Sequence, residues 1–409
     1  MSKITTLLLT STVLSASLIA GPALAQSAGE PVETAAPNAP DQEPAVPEQT
    51  RAPQPAEMPE VASEVIAEDL PHLWSMEILP DGNMLVTAKA GAMHIISPEG
   101  EVGPEIAGVP EVDADGQGGL LDVALAPDFE SSNRIFFSFS EPRDGGNGTS
   151  VASATLVADD QGGGALEDVT VIFQQMPTYD GDLHFGSRLV VNDDSLYVTV
   201  GERSDTPIRD QAQDLESGLG KVFRISFKGE PLDDNPFVDE AGAQPEIWSY
   251  GHRNLQAAAL DGEGRLWTVE HGPKGGDELN MPQSGLNYGW PVITYGLDYS
   301  GAPIGEGITQ QDGMEQPVYY WDPVIGPSGM IFYEGDEFAE WDGAFLIGGL
   351  VTTGLVVVHL DGDRVAFEER VPLDARIRDV KVGSDGAVYA VTEDRDSCSS
   401  TILRLTKGG

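Results

Sequence analysis

The sequence contains a single cysteine and few basic residues, and each shortage excludes a class of protein. With Cys398 alone, the chain cannot form an intrachain disulfide or attach a c-type haem through Cys-x-x-Cys-His. Its 22 Lys and Arg residues against 67 Asp and Glu residues give a net charge of −45. So acidic a surface is well solvated and repels nucleic acid and anionic membranes. Neither is therefore expected as a partner.

Long hydrophobic runs are also scarce, and the one apolar stretch lies at the N-terminus. Residues 1–25 combine Lys3, the stretch LLLTSTVLSASLIA and a final Ala-Leu-Ala. This pattern predicts a secretory signal peptide cleaved after Ala25. The alternative is an uncleaved membrane anchor, but the stretch is shorter than the roughly 20 apolar residues that a span needs. We therefore expect a periplasmic or secreted protein without a membrane span.

The composition changes between residues 26 and 68, where Pro, Ala, Glu and Gln dominate, as in PVETAAPNAPDQEPAVPEQ. A segment with few large apolar side chains and frequent prolines cannot bury a core of its own. It is predicted to be an extended, mobile linker. The folded domain is expected to cover residues 69–409.

The folded region repeats one pattern six times: an apolar strand, a turn with Asp or Gly, and a second strand rich in Val, Leu, Tyr or Phe. Examples are MEILPDGNMLVTAKAG, AAALDGEGRLWTVEHG and DVKVGSDGAVYAVTED. Such repetition without long helical patterns predicts an all-β fold, a six-bladed β-propeller with four-stranded blades. A pair of β-sandwiches is the structural alternative. The uneven spacing of the copies indicates long loops between blades, which in propellers gather at one end of the central channel.

Several polar, glycine-rich segments between the strands carry reactive side chains. His184 lies in GDLHFGSRL and can act as a general base near neutral pH, although a histidine beside an aromatic residue can equally be structural. Arg253 and Asn254 adjoin in SYGHRNLQ, and Arg376 and Arg378 alternate along a predicted strand. Guanidinium groups on one side of a strand suit planar carboxylates, and the alternative is ordinary salt bridges.

The segment EHGPKGGDELN, residues 270–280, combines glycines with carboxylates. Asp277, Glu278 and backbone carbonyls in a glycine-rich turn suit a hard cation such as Ca²⁺ better than zinc. His271 has no His-Glu-x-x-His partner, and no EF-hand spacing is present. The segment by itself therefore predicts only an oxygen-ligand cation site.

Taken in order, these motifs resemble those of the soluble quinoprotein dehydrogenases of the glucose/sorbosone and aldose sugar dehydrogenase family. The resemblance covers about residues 70–407 and includes GQGGLLDVALAPDF, HFGSRL, SYGHRN, EHGPKGGDELN with NYGWP, PSGMIFY and RIRDV. It implies a six-bladed propeller that binds pyrroloquinoline quinone (PQQ) and Ca²⁺ and oxidises the C1 hydroxyl of aldose sugars to lactones. Electrons would pass to an external acceptor such as a quinone, a cytochrome or a dye, since the chain holds no haem.

The resemblance also implies roles for individual residues. His184 corresponds to the catalytic base. The implied quinone contacts are Gln117, Arg253, Asn254, Arg376 and Arg378. The implied calcium ligands are Gly272 and Pro273 at the active site and Glu278 and Tyr288 at a second site. The chain departs from the family at Val351, where a lysine is frequent, and at Leu255 and Ala257, which follow Arg-Asn.

Two other functions are compatible with a calcium-dependent propeller. A lactonase would share the fold and the metal, but it has little use for Arg253 together with the pair Arg376 and Arg378. A non-catalytic secreted sugar-binding propeller would leave a histidine at position 184 unexplained. The sequence therefore favours the dehydrogenase, and it leaves open the sugar, the oligomeric state and the electron acceptor.

Overall fold

The described part of the chain consists almost entirely of β-strands. A computed structural model describes residues 29–159 and 161–408, so the predicted signal peptide at 1–25 lies outside it. Antiparallel strands form six sheets, and in these residues the only α-helix is the single turn α1 (Phe129–Ser132). No helix in the described ranges is long and apolar enough to cross a bilayer.

The sheets follow one another along the chain, and each forms one blade. The first strand, β1 (Val61–Pro71), belongs to blade 6. Blade 1 contains β2 (Leu73–Ile78), β3 (Met84–Ala88) and β4 (Ala92–Ile96), and blade 2 contains β5 (Leu120–Leu125), β6 (Arg134–Arg143), β7 (Gly146–Ala158) and β8 (Gly164–Gln174). Blade 3 contains β9 (Gly186–Asn192), β10 (Ser195–Val200), β11 (Lys221–Ser226) and β12 (Ile247–Tyr250). Blade 4 contains β13 (Leu255–Leu260), β14 (Leu266–Glu270), β15 (Asp277–Asn280) and β16 (Tyr319–Trp321). Blade 5 contains β17 (Pro327–Phe332), β18 (Ala344–Gly349), β19 (Gly354–Asp361) and β20 (Arg364–Pro372). Blade 6 contains β21 (Arg376–Val382), β22 (Val388–Glu393) and β23 (Ser399–Lys407), together with β1.

The first two strands of each blade are joined by turns of the kind that the repeat predicted. In blade 1, the Asp81 carboxylate accepts a hydrogen bond from the backbone N–H of Asn83, 3.1 Å away. Gly82 between them has a φ of +88°, which favours glycine because no Cβ is present to clash. Asp261 caps the corresponding turn of blade 4 by accepting from the backbone N–H of Arg265 at 2.9 Å.

The six inner strands form a closed ring. β2, β5, β9, β13, β17 and β21 pack one against the next, and β21 returns to β2. The ring is also closed by hydrogen bonds, because β1 pairs antiparallel with β23, from Val61 opposite Lys407 to Pro71 opposite Ser399. The first strand of the chain is therefore the outer strand of the last blade. The six-bladed propeller is confirmed.

Blade 1 is the exception to the four-stranded pattern, because its sheet has three regular strands. The segment after β4 still runs beside it: Val102 forms a bridge with Ile96, and Gly103 N donates to Ile95 O at 2.8 Å. Pro104 follows and has no N–H to donate, which interrupts the ladder. The fourth strand is thus present as an irregular edge.

Apolar side chains fill the spaces between neighbouring blades. Trp267 and Val269 of blade 4 pack with Phe345, Ile347 and Val356 of blade 5, and all five are fully buried. The inner and second strands are covered by neighbouring blades on both faces. Their residues are therefore apolar almost throughout and do not alternate between apolar and polar. At about 25 cal/mol per Å² of apolar surface, these contacts are the main source of stability.

A buried polar cluster joins the inner strands near the middle of the ring. Arg188 of β9 donates from Nη1 to Asp122 Oδ1 of β5 at 2.8 Å and to Asp379 Oδ1 of β21 at 3.1 Å. Its Nε donates to the carbonyl of Gln256 in β13 at 3.2 Å, and Ser75 Oγ of β2 donates to Asp122 at 2.6 Å. Burial lowers the pKa of Arg188, but the two carboxylates outweigh it and raise that pKa.

Residues 29–68 differ from the predicted mobile linker, because residues 29–59 lie along blades 4 and 5 and residues 61–68 belong to β1. We call residues 29–59 the N-terminal strap. The backbone N–H groups of Asn38 and Ala39 donate to the Asp322 carboxylate at 2.8 and 2.9 Å, and Ala52 N donates to Tyr319 Oη at 2.8 Å. The strap has no core of its own, as its composition predicts. It is fixed by hydrogen bonds to a surface that the propeller has already formed.

Replacing Arg188 with Met should lower the free energy of unfolding by about 3–5 kcal/mol, because Asp122 and Asp379 would remain buried without a cation. Denaturant or thermal unfolding followed by circular dichroism measures this. The matched control is Arg404→Met, whose partner Asp385 is 44% exposed, so its loss should cost about 1 kcal/mol or less. Equal effects of the two substitutions would contradict a structural role for the Arg188 cluster.

Candidate active site

A cavity of about 370 Å³ opens at the end of the propeller where inner strands begin and second strands end. Its walls include Trp74, Lys89, Gln117, His271, Arg378 and Glu393. Two of the predicted quinone contacts, Gln117 and Arg378, therefore line the same space although 261 positions separate them in the sequence. The closed ring brings them together.

His184 lies immediately before β9 and is nearly buried, with its side chain 9% exposed. Its backbone N–H donates to Gln117 Oε1 at 2.9 Å, which links it to the cavity wall. Its φ of +50° is unusual for a residue other than glycine, and local strain of this kind occurs often at functional sites. The flanking Gly186, at φ +66°, gives the chain room to turn into the strand.

Burial and the Glu202 carboxylate together set the charge and tautomer of His184. Its Oε2 lies 2.8 Å from His184 Nδ1. Burial alone would raise the pKa of Glu202, but His184 and Arg253 lower it below the ordinary value. Burial also lowers the pKa of His184, more than the Glu202 charge raises it. At neutral pH the imidazole is therefore neutral, with its proton on Nδ1 and a lone pair on Nε2, which is the form that a general base requires.

Asn254 and Gln117 hold the chain segment that contains His184. Asn254 Oδ1 accepts from Gly186 N at 3.1 Å, and Gln117 N donates to Asp182 O at 2.7 Å. Asn254 does not line the cavity, so in this structure it positions the segment before β9. Gln117 both positions that segment and faces the cavity.

Arg253 lies just before β13, and its side chain reaches the loop that follows β14. Its Nη1 donates to the carbonyl oxygens of His271 and Gly272 at 2.9 and 2.8 Å, and its guanidinium lies 5.1 Å from the ring centroid of Trp290. Its Nε is buried and has no hydrogen-bond partner among the described residues. The Gly272 carbonyl, a predicted calcium ligand, is thus occupied by a cationic donor.

Arg376 and Arg378 share one carboxylate, Glu393 at the end of β22. Arg376 Nη2 donates to Glu393 Oε1 at 3.0 Å, and Arg378 Nε donates to Oε2 at 2.7 Å. Burial alone would raise the pKa of Glu393, but the two arginines and His72 hold it far below its usual range. The alternating spacing of the arginines does place both on one side of β21, as predicted. Glu393, which none of the sequence motifs identified, orients them.

The segment EHGPKGGDELN forms the end of β14, a tight loop and β15. Asp277 holds the loop closed, because its carboxylate accepts from the backbone N–H groups of Gly272, Ile325 and Gly326, each at 2.8 Å. Burial raises the pKa of Asp277 to about 7 despite these bonds. Asp277 therefore has a structural role and is not available as a metal ligand. Pro273 is buried in the same loop.

A second, small cavity lies behind this loop, and it brings Gly272, Glu278 and Tyr288 together with Glu270. Burial and the neighbouring Glu270 carboxylate raise the pKa of Glu278 well above its ordinary value. Asn280 Oδ1 is buried beside them without a hydrogen-bond partner in the described chain. Tyr288 donates its hydroxyl proton to Met281 O at 2.7 Å. Two carboxyl groups and an amide oxygen thus lie close together here, as they do at a cation site.

Glu202, Glu270 and Glu393 occupy related positions, at or just after the end of the second strand in blades 3, 4 and 6. Each binds a cationic or imidazole side chain at the start of the inner strand; Glu270 accepts from His252 Nδ1 at 2.9 Å. The sequence carries a signal for them: the blade copies read YVTVGE, LWTVE and VYAVTE. When the blade copies are aligned, these three glutamates fall at the same position, which marks them as candidate partners of the side chains at the start of the inner strands.

Val351, which stands where the resemblance expects a lysine, is 55% exposed. Its neighbour Leu350 lines the cavity instead. The backbone carbonyl of Leu350 accepts a hydrogen bond from Arg376 Nη1 at 2.7 Å. Leu255 and Ala257 are fully buried in β13, so they fill the interior without altering the cavity.

Comparison with known proteins gives consistent matches. A family model described as glucose/sorbosone dehydrogenase matches residues 70–404. The aldose sugar dehydrogenase YliI of Escherichia coli strain K12 is 43% identical over 350 residues, which are 84% of this chain and 92% of that protein. The apo crystal structure of the soluble E. coli aldose sugar dehydrogenase has a TM-score of 0.80 and 41% identity and covers 85% of this chain and all of its own.

A third similar structure is described as the PQQ-bound form of an aldose sugar dehydrogenase from Streptomyces coelicolor. It is 27% identical, with a TM-score of 0.69, over 86% of this chain and all of its own. The family match begins at residue 70, so the N-terminal strap lies outside it.

Replacing Glu202 with Gln should move the titration midpoint of His184 to lower pH. The Glu202 charge favours the imidazolium, so removing it leaves burial unopposed. NMR titration of the imidazole resonances measures this, with Glu369→Gln as the control because that carboxylate binds His359 instead. An unchanged or raised midpoint in Glu202→Gln would contradict the assigned pairing.

Proposed function

Because this chain belongs to the glucose/sorbosone dehydrogenase family, we propose that it oxidises the C1 hydroxyl of aldose sugars to lactones, with PQQ as its cofactor. The chain is a sugar dehydrogenase of a quinoprotein family, as the motifs predicted. The observation that carries the proposal is the neutral His184, paired with Glu202 and linked through Gln117 to a cavity lined by cations in an otherwise acidic protein.

The donor set of the cavity fits a flat, redox-active polycarboxylate. Lys89 and Arg378 line the cavity, and Arg376 and Arg253 lie next to it. His271 Nε2 and Arg253 Nε are buried polar atoms that lack a hydrogen-bond partner among the described residues, and a carboxylate or carbonyl oxygen would satisfy the Arg253 N–H. The quinone, when bound, supplies the acceptor for the hydride from C1.

The protein's own contribution is proton transfer and orientation. His184 Nε2 takes the proton of the sugar C1 hydroxyl, and the resulting imidazolium is stabilised by Glu202 through the Nδ1–H bond. Gln117 and Asn254 fix the backbone on either side of His184. Glu393 keeps the guanidinium groups of Arg376 and Arg378 in one orientation, so little is lost on ordering them when an anion binds.

We place calcium at the small cavity with Glu278 and Tyr288. The support is the pair of carboxylates Glu270 and Glu278 beside the unpartnered Asn280 Oδ1, which a divalent cation would neutralise. The implied active-site calcium at Gly272 and Pro273 fits less well, because Arg253 Nη1 holds the Gly272 carbonyl. No step of the proposed reaction is assigned to that ion.

The proposed setting is the periplasm or the exterior of the cell. Its support is the signal-like pattern of residues 1–25. Electrons would leave for an external acceptor, since a single cysteine excludes a c-type haem on this chain.

The first experiment is reconstitution of the purified protein with PQQ and Ca²⁺, followed by dye reduction with a panel of aldoses. His184→Ala should lower turnover by about 10²- to 10⁴-fold, the usual contribution of a positioned base, while PQQ still binds. His359→Ala is the control, because that histidine pairs with Glu369 on blade 5. Full turnover of His184→Ala would disprove the mechanism, and absence of both quinone binding and aldose oxidation in the wild type would disprove the function.

The pH profile of the reconstituted enzyme provides a separate test. Because burial lowers the pKa of His184, the neutral base persists below the ordinary histidine value of about 6.5. Activity limited by proton abstraction should therefore be constant from neutral pH down to about 6.5 and fall only at lower pH. A kcat/KM profile that already declines between pH 8 and 7 as the pH is lowered would contradict this assignment.

A further inference from the structure

The cavity has a cation that belongs to none of the recognised motifs. Lys89 follows β3 in blade 1, and its side chain lines the cavity beside Gln117 and Arg378. Its backbone is fixed on both sides, since Lys89 N donates to His72 O at 2.8 Å and Lys89 O accepts from Leu120 N at 3.1 Å. The residue therefore occupies a defined position between the inner strands of blades 1 and 2.

The ammonium of Lys89 is held by neutral groups. Its Nζ donates to the carbonyl oxygens of Ala114 and Gly116 at 3.1 and 2.6 Å. Within the described residues, no carboxylate oxygen lies within 4.0 Å of it. A lysine has three N–H donors, and carbonyl oxygens orient the ammonium without neutralising its charge.

The arginines of the neighbouring wall are different. Arg376, Arg378 and Arg395 all form ion pairs with Glu393, so one carboxylate offsets part of their charge. Burial and the nearby Arg378 lower the pKa of Lys89, and the Glu393 and Asp115 carboxylates oppose them only in part, so the charges of Lys89 and Arg378 still repel each other in this part of the cavity. An anion between them would remove that repulsion.

We propose that Lys89 is a cofactor-binding residue, whose ammonium binds a carboxylate of the quinone together with the Arg378 guanidinium. This inference rests on the proposed function. Lys89 adds a positive contact from blade 1 to those that the motifs assign to blades 4 and 6. The carbonyls of Ala114 and Gly116 pre-orient the ammonium, so that little side-chain freedom is lost when the anion binds.

A purely structural role is the competing explanation, in which Lys89 only fixes residues 114–116 and thereby Gln117. The two roles differ in their dependence on charge. An ion-pairing contact is weakened by salt and is preserved by another cation. A contact that only shapes the loop depends on the fit of the side chain, and its effect on the affinity for an anion is independent of ionic strength.

The test measures the Kd of PQQ by isothermal titration calorimetry, with the full protein in Ca²⁺-containing buffer at several salt concentrations. The variants are Lys89→Met, Lys89→Arg and the control Lys228→Met, which removes the same charge from an exposed turn after β11, at the other end of the propeller. Thermal unfolding of each variant is followed in parallel to separate loss of contact from loss of fold.

We expect Lys89→Met to weaken PQQ binding by about 10- to 100-fold, the value of one charge-assisted contact, and to flatten the salt dependence. The Kd of Lys89→Arg should stay within a few-fold of the wild-type Kd, and the Kd of Lys228→Met should equal the wild-type value. Equal Kd values for Lys89→Met and the wild type, or equal losses in Lys89→Met and Lys89→Arg with an unchanged salt dependence, would overturn the inference. If the wild type itself binds no PQQ, the proposed function fails instead.

Discussion

The arrangement of the propeller depends on the guanidinium of Arg188, which joins inner strands that are far apart in the sequence. Its carboxylate partners Asp122 and Asp379 come from blades 2 and 6, and Ser75 of blade 1 shares them. Even the strand of blade 5 is adapted to this cluster, since a Cβ at Gly329 would lie 2.0 Å from Asp379 Oδ1. A buried charge tolerates little displacement of its partners. The cluster therefore fixes the relative heights of the strands, and with them the strand ends that form the active site.

The active site uses the strand ends in a repeated way. In three blades a glutamate at the end of the second strand holds a histidine or arginine at the start of the inner strand. The same geometry gives three different results: a neutral base at His184, a buried anchor at His252 and an oriented pair of guanidinium groups at Arg378. The chemistry of each position depends on which side chain the carboxylate holds and on how deeply the pair is buried.

The sequence was sufficient for the fold because six copies of one short pattern, each with an Asp-Gly or similar turn, are compatible with few architectures. Motif order also predicted Gln117, His184 and Arg378 as site residues, and in the structure Gln117 and Arg378 line one cavity while His184 N donates to Gln117. It could not show that Arg253 donates to the Gly272 carbonyl, because that contact depends on a side-chain rotamer. Nor could composition distinguish a free linker from the N-terminal strap, since the bonds of Asn38 and Ala39 are made to Asp322, more than 280 residues away.

The pairing of β1 with β23 has a consequence for how the protein folds. Residues 61 and 407 lie in adjacent strands of one sheet, so blade 6 is complete only when segments from the two ends of the propeller have met. Contacts of such long sequence separation form slowly. Until they form, the ring is open and blade 6 has an unpaired strand edge. Protection from aggregation before closure is thus a requirement that the closed ring itself imposes.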